Sequence, residues 1–199
     1  MKKFFKEYSY DMLKMFLNQF ATAIFGFSLA IAASKAENVT LRNVTSIAAI
    51  AFYLFLLYTM CWEIGFKDRI PVAHGQKRNM PYKGALISLC ANSINILFAI
   101  FIMLAKLIPL EFFGSIGGVC QGGAVVLEGM YVGVLANTVG GAALNGYWFM
   151  YFIIVLPAIL TCGIAYYLGL KDIKFTSLFN QPYPESDREP KQKRGRRDD

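Results

Sequence analysis

Six polar side chains stand inside apolar stretches, where they could do chemistry: Asn18, Gln19, Ser88, Asn92, Asn95 and Glu128. Ser88, Asn92 and Asn95 fall at i, i+4 and i+7, which puts all three on one helical face. An unpaired amide in hydrocarbon costs several kcal/mol, so this face must meet protein or water. Two uses fit. The amides are interhelical contacts, worth on average about 0.6 kcal/mol each, with Asn18 and Gln19 as partners. Or they line a polar path for a substrate or ion, with Glu128 as its carboxylate.

A second group marks a boundary with water: Trp62, Glu63, Lys67 and Arg69. Trp62 suits the aromatic belt of a membrane interface, and Glu63 and Lys67 are spaced i, i+4 for a salt bridge. Nothing here suits catalysis. His74 is the sole histidine, and Cys61, Cys90, Cys120 and Cys162 form no Cys-x-x-Cys pair, so no metal site is expected. Gly26-Phe27-Ser28 lacks the last glycine of a serine elbow, and the carboxylates near the apolar runs are isolated from one another. The glycine-rich run is followed by no Gly-Lys-Ser/Thr, so no nucleotide or other cofactor is expected. A net charge of +7 invites a nucleic-acid reading, but the basic residues sit at the ends of apolar runs and in the tail. Neither an enzyme nor a nucleic-acid partner is expected.

The elements that position these residues follow from composition. Of 199 residues 56% are hydrophobic, mean hydropathy is +0.43, and the apolar residues come in long blocks whose solvent must be lipid. The pattern predicts an all-α, polytopic transmembrane helical bundle forming one domain over 1–175. Spans are expected at about 12–34, 46–66, 83–107 and 146–170, each long enough for a hydrocarbon core of about 30 Å. Residues 1–14, basic and aromatic, are expected to lie on the membrane surface. Ala30-Ile31-Ala32 resembles a signal-peptidase site, but Glu7, Asp11, Asn18 and Gln19 interrupt the preceding segment, and cleavage is not expected. Ala23, Gly26, Ala30 and Ala33 form a small-residue stripe suited to close packing within the chain.

The loop 66–83 carries five basic residues against one acid, and its Pro71, Gly75 and Pro81 should prevent a continuous helix. The loop 35–45 contains Asn38-Val39-Thr40 and Asn43-Val44-Thr45, both matching the glycosylation pattern. Segment 108–145, opened by Pro109, is glycine-dense, with Gly118/Gly122 and Gly129/Gly133 at Gly-x-x-x-Gly spacing. Four spans put 17 basic residues inside and leave Lys35, Arg42 and Lys106 outside, so 108–145 is expected to be a glycine-rich re-entrant or interfacial helical segment on the outer side. Both termini are then cytoplasmic. Pro157 should kink the last span near its middle, and the basic tail 176–199 should be disordered and able to meet anionic lipid.

Trp62-Glu63-Ile64-Gly65-Phe66-Lys67-Asp68-Arg69, Lys83-Gly84, Met130-Tyr131-Val132-Gly133 and Tyr166-Tyr167-Leu168-Gly169-Leu170-Lys171-Asp172 resemble segments of small uncharacterised multi-span membrane proteins of Gram-positive anaerobic bacteria. The resemblance implies a bacterial cytoplasmic membrane and no activity. Two functions are therefore carried forward. One is a membrane subunit or scaffold, acting through helix and outer-segment contacts with a membrane-protein partner or a second copy. The other is a small transporter or channel component with a path lined by Asn92 and Asn95.

Overall fold

The structure, a computed structural model, describes residues 2–108 and 110–173. The expected disordered tail lies outside them. Among the described residues the chain is helical apart from connecting turns and a hairpin of two short strands. Its helices are α1 (Lys2–Lys35), α2 (Val39–Ala73), α3 (Lys83–Ala91), α4 (Ser93–Leu107), α5 (Glu111–Leu127), α6 (Val132–Leu135), α7 (Met150–Ile153) and α8 (Leu156–Leu170). The strands β1 (Thr138–Val139) and β2 (Ala142–Ala143) pair antiparallel between α6 and α7. Three helical stretches, Phe4–Lys35, Val39–Ala73 and Met150–Leu170, are long and apolar enough to cross a membrane. Two further pairs reach that length only as bent units: α3 with α4, bent by 61°, and α5 with the turn and helix 129–135, bent by 85°.

Several boundaries differ from expectation. The N-terminal segment does not lie apart on a surface: it is the first part of α1, with Tyr8 buried. Likewise α2 runs through Pro71 to Ala73, so the loop begins at His74 and not at residue 66. Pro71 sits in the last turn, where its ring forfeits a single backbone hydrogen bond. Gly75, at φ +70°, then ends the helix, and the Gln76 N–H donates to the Pro71 carbonyl. The stretch expected as a third span, α3–α4, is not straight. At Asn92 the side-chain amide donates to the Ser88 carbonyl at 2.9 Å, a local bond of the kind that bends helices. The last span breaks at Ile154–Val155, ahead of Pro157 rather than at it; Pro157 occupies the first turn of α8, where no N–H is needed.

Close approach decides the packing. A Cβ on Gly65 would stand 2.2 Å from the Tyr166 carbonyl oxygen, and one on Gly84 2.2 Å from that of Cys162, so α8 lies directly against both α2 and α3. At the other side of the bundle α5 runs antiparallel along α4, with Gly117 against Ala105 and Gly123 against Phe98. The chain then turns at Glu128 and climbs α1 and α2: Gly129 meets Ala23, Met130 meets Gly26, and Gly133 meets Arg42 and Ser46. The stripe Ala23, Gly26, Ala30 therefore packs inside the chain, with Ala33 also buried. Of the two Gly-x-x-x-Gly pairs only Gly129/Gly133 makes helix contacts. Gly118 and Gly122 are exposed with open space beside them, because Gly117 and Gly123 occupy the face turned to α4.

Candidate functional site

Among the described residues two carboxylates are buried in the bundle, one near an end and one at its middle. Asp68 belongs to the buried stripe of α2, which runs Ser46, Ala49, Tyr53, Leu57, Met60, Cys61, Ile64, Gly65, Asp68. Its Oδ2 accepts from Lys83 Nζ at 2.8 Å, Tyr8 Oη at 3.0 Å and Tyr166 Oη at 3.0 Å, and its Oδ1 accepts from Lys77 Nζ at 2.8 Å. Lys77 also pairs with Glu7, and Lys83 donates to Tyr8 Oη at 3.1 Å. Five segments thus meet on one carboxylate: α1, α2, the 74–82 loop, α3 and α8. Lys77 lies in the loop. Burial disfavours its ammonium, but bonds to Asp68 and Glu7 outweigh burial and raise its pKa above the ordinary lysine value.

The expected interfacial residues lie at the same end. Glu63 and Lys67 form the i, i+4 salt bridge at 2.7 Å, both exposed. Arg69 pairs with Asp172 just after α8, and Trp62 Nε1 donates to the Ile173 carbonyl at 2.8 Å. Trp62 also stacks on Phe66 at 5.2 Å between ring centroids.

Glu128 has a different environment. It follows α5 at the tip of the inward turn, is 3% exposed, and faces the midpoint of the 34-residue α1. Gln19 Nε2 donates to Glu128 Oε1 at 3.0 Å and to the Leu127 carbonyl at 3.3 Å. The other carboxyl oxygen, Oε2, is buried without a hydrogen-bond partner, as are Asn95 Oδ1 and Tyr131 Oη.

Ser88, Asn92 and Asn95 are all buried, as the periodicity requires, but they bond along their own helices. Asn95 Nδ2 donates to Asn92 Oδ1 at 3.1 Å, and Asn92 Nδ2 to the Ser88 carbonyl. Asn18 and Gln19 are not their partners. Asn18 Nδ2 reaches Met60 Sδ at 2.8 Å, while Gln19 is held by Glu128, because the inward turn brings residues 127 and 128 to α1 before α4 can approach it. The sequon asparagines are also engaged. Asn38 caps α2 through the Leu41 N–H at 3.0 Å, and Asn43 accepts from Asn137 Nδ2 at 2.9 Å.

Sequence reasoning missed Asp68, Lys83, Tyr8 and Tyr166. The signal was there: Asp68 continues the three- and four-residue spacing of the apolar stripe beyond residue 66, where the helix was expected to stop. No protein family, curated protein or solved structure matches this chain.

Proposed function

We propose that this protein is a small transporter of the bacterial cytoplasmic membrane that moves a monovalent cation, a proton or an alkali ion, by way of Glu128. The observation that carries the reading is a buried carboxylate at mid-bundle with one oxygen unpaired. An acidic side chain at the centre of a bilayer costs about 3 kcal/mol on insertion scales, and such residues mark ion and proton pathways. Asn95 Oδ1 and Tyr131 Oη are further unpaired acceptors buried in the bundle interior with it, and acceptor oxygens are what a cation or a proton requires. Glycines that admit an irregular turn at this depth belong where backbone is buried in protein.

In this reading α1, α2, α3–α4 and α7–α8 are four crossings, and 111–137 is re-entrant from the outer side. Four crossings put 17 of the 20 basic residues of the sequence on the side of the two termini, which favours cytoplasmic termini. Asp68 and its donors close the inner end. The subunit or scaffold reading has less support, since exposed Ile24, Phe25, Phe52 and Leu160 are what a lipid-facing surface displays.

The test is cation flux in proteoliposomes. Wild-type protein should dissipate an imposed H⁺, Na⁺ or K⁺ gradient, and Glu128→Gln should lose that flux while keeping its thermal stability. No flux above protein-free vesicles for any of the three ions, or equal flux in the variant, overturns the proposal. Topology is read separately from single cysteines, with the four native ones replaced by alanine. Val39→Cys and Ala142→Cys should label from outside, and Ala73→Cys and Gln192→Cys should not.

A further inference from the structure

We infer that the groove between α1, the start of α2 and α6 is a binding site for an anionic phospholipid of the outer leaflet. The groove encloses about 350 Å³, walled by Ala30, Ile31, Val132 and Ala136, with Lys35 and Arg42 among its lining. Neither cation has an acidic partner among the described residues. Glu37 lines an adjoining cleft with Arg42 and pairs with neither. Arg42 Nη2 donates to Asn137 Oδ1 at 3.0 Å, which fixes the guanidinium, while its Nε is buried with no acceptor in the protein. A phosphodiester seated in the groove neutralises the two cationic side chains that line it.

The apolar part of the site distinguishes a lipid from a free anion. Ile24, Phe27 and Ile31 are exposed at i, i+3 and i+7 on α1, a stripe of about 10 Å running from the groove toward the middle of the helix. That direction and length suit one acyl chain lying below a head group held at Lys35 and Arg42, the end of the bundle that faces outward in the four-span arrangement. Each basic residue near a membrane surface contributes about fivefold in affinity for an anionic head group.

The experiment is native mass spectrometry of the full chain in mild detergent, titrated with phosphatidylglycerol or with phosphatidylcholine of the same acyl chains. One phosphatidylglycerol should be retained per chain in preference to phosphatidylcholine. Lys35→Gln, which touches no bond in the fold, should weaken retention about fivefold, and Lys35→Gln with Arg42→Gln about 25-fold. The basic tail is controlled by changing Lys191, Lys193 and Arg194 to Gln, which should leave this retention unchanged. Equal retention of the two lipids, or loss only in the tail variant, overturns the inference. Displacement of the lipid by millimolar inorganic phosphate also overturns it, because the groove would then hold a free anion.

Discussion

Asp68 and Glu128 are both buried carboxylates in one small bundle, yet their surroundings are opposite. Asp68 is 4% exposed and receives four donors from four segments, two of them ammonium groups. Glu128 is 3% exposed, and its side chain receives a single neutral donor from Gln19. Burial is therefore the same and satisfaction is not. A saturated carboxylate is locked, because any movement strips several charge-assisted bonds at once. An unsaturated one has room for a partner that comes and goes. In the proposed reading the Asp68 end supplies stability and the Glu128 turn the ion chemistry.

The sharpest way to break this comparison is to remove Asp68. Asp68→Ala leaves Lys83 buried at 5% exposure with no carboxylate, and breaking one side of such a pair costs about 3–5 kcal/mol. Thermal unfolding in detergent, followed by tryptophan fluorescence, should show a large fall in Tm; an unchanged Tm would mean the cluster is not a lock. Next in size is Gly129→Leu. Its Cβ would lie 2.2 Å from the Ala23 carbonyl oxygen, and overpacking of that kind costs about 1–3 kcal/mol. The inward turn should be pushed off α1, and Cys120, buried on α5, should become reactive toward maleimide. Unaltered Cys120 labelling would show that the turn and α5 move independently.

Glu128→Gln should act on function and spare the fold. The Gln19 bond survives, so stability should stay within about 1 kcal/mol of wild type while cation flux disappears. A fall in Tm as large as that of Asp68→Ala would make the two carboxylates alike and erase the distinction. The smallest effect is that of pH on Lys77. Its raised pKa means that its contribution to stability is complete below the ordinary lysine value of 10.5 and is lost as pH rises through the raised value. Tm should therefore be insensitive to Lys77 titration from pH 7 to about 10 and should fall above that range. Lys77→Gln should flatten the alkaline fall.

Much of the architecture was legible in the residues because long apolar runs can satisfy their backbone only as helices once they leave water. The apolar runs and the Glu63–Lys67 pair follow from local spacing, and the structure has three helices of spanning length where such runs were expected. The glycine-dense 108–145 stretch was recognisable as unusual from composition, but composition does not say which glycines touch another helix. Gly117 and Gly123 do so, and Gly118 and Gly122 do not, because only the rotation of α5 about its own axis selects a face.

What sequence alone determined is the set of segments that must leave water and the register of their polar and apolar faces, since hydrophobic periodicity and desolvation act within a single helix. The tertiary structure decided the partners. Tyr8 and Asp68 are 60 residues apart, Gln19 and Glu128 are 109 apart, and nothing local pairs them. Asp68 looked like one charge in a Lys67-Asp68-Arg69 run until α1, α3 and α8 converged on it, and Glu128 became a mid-bundle carboxylate only because the chain turns by 85° there and climbs back along α1. Whether a buried carboxylate is saturated depends on which donors other segments bring, and that is a property of packing.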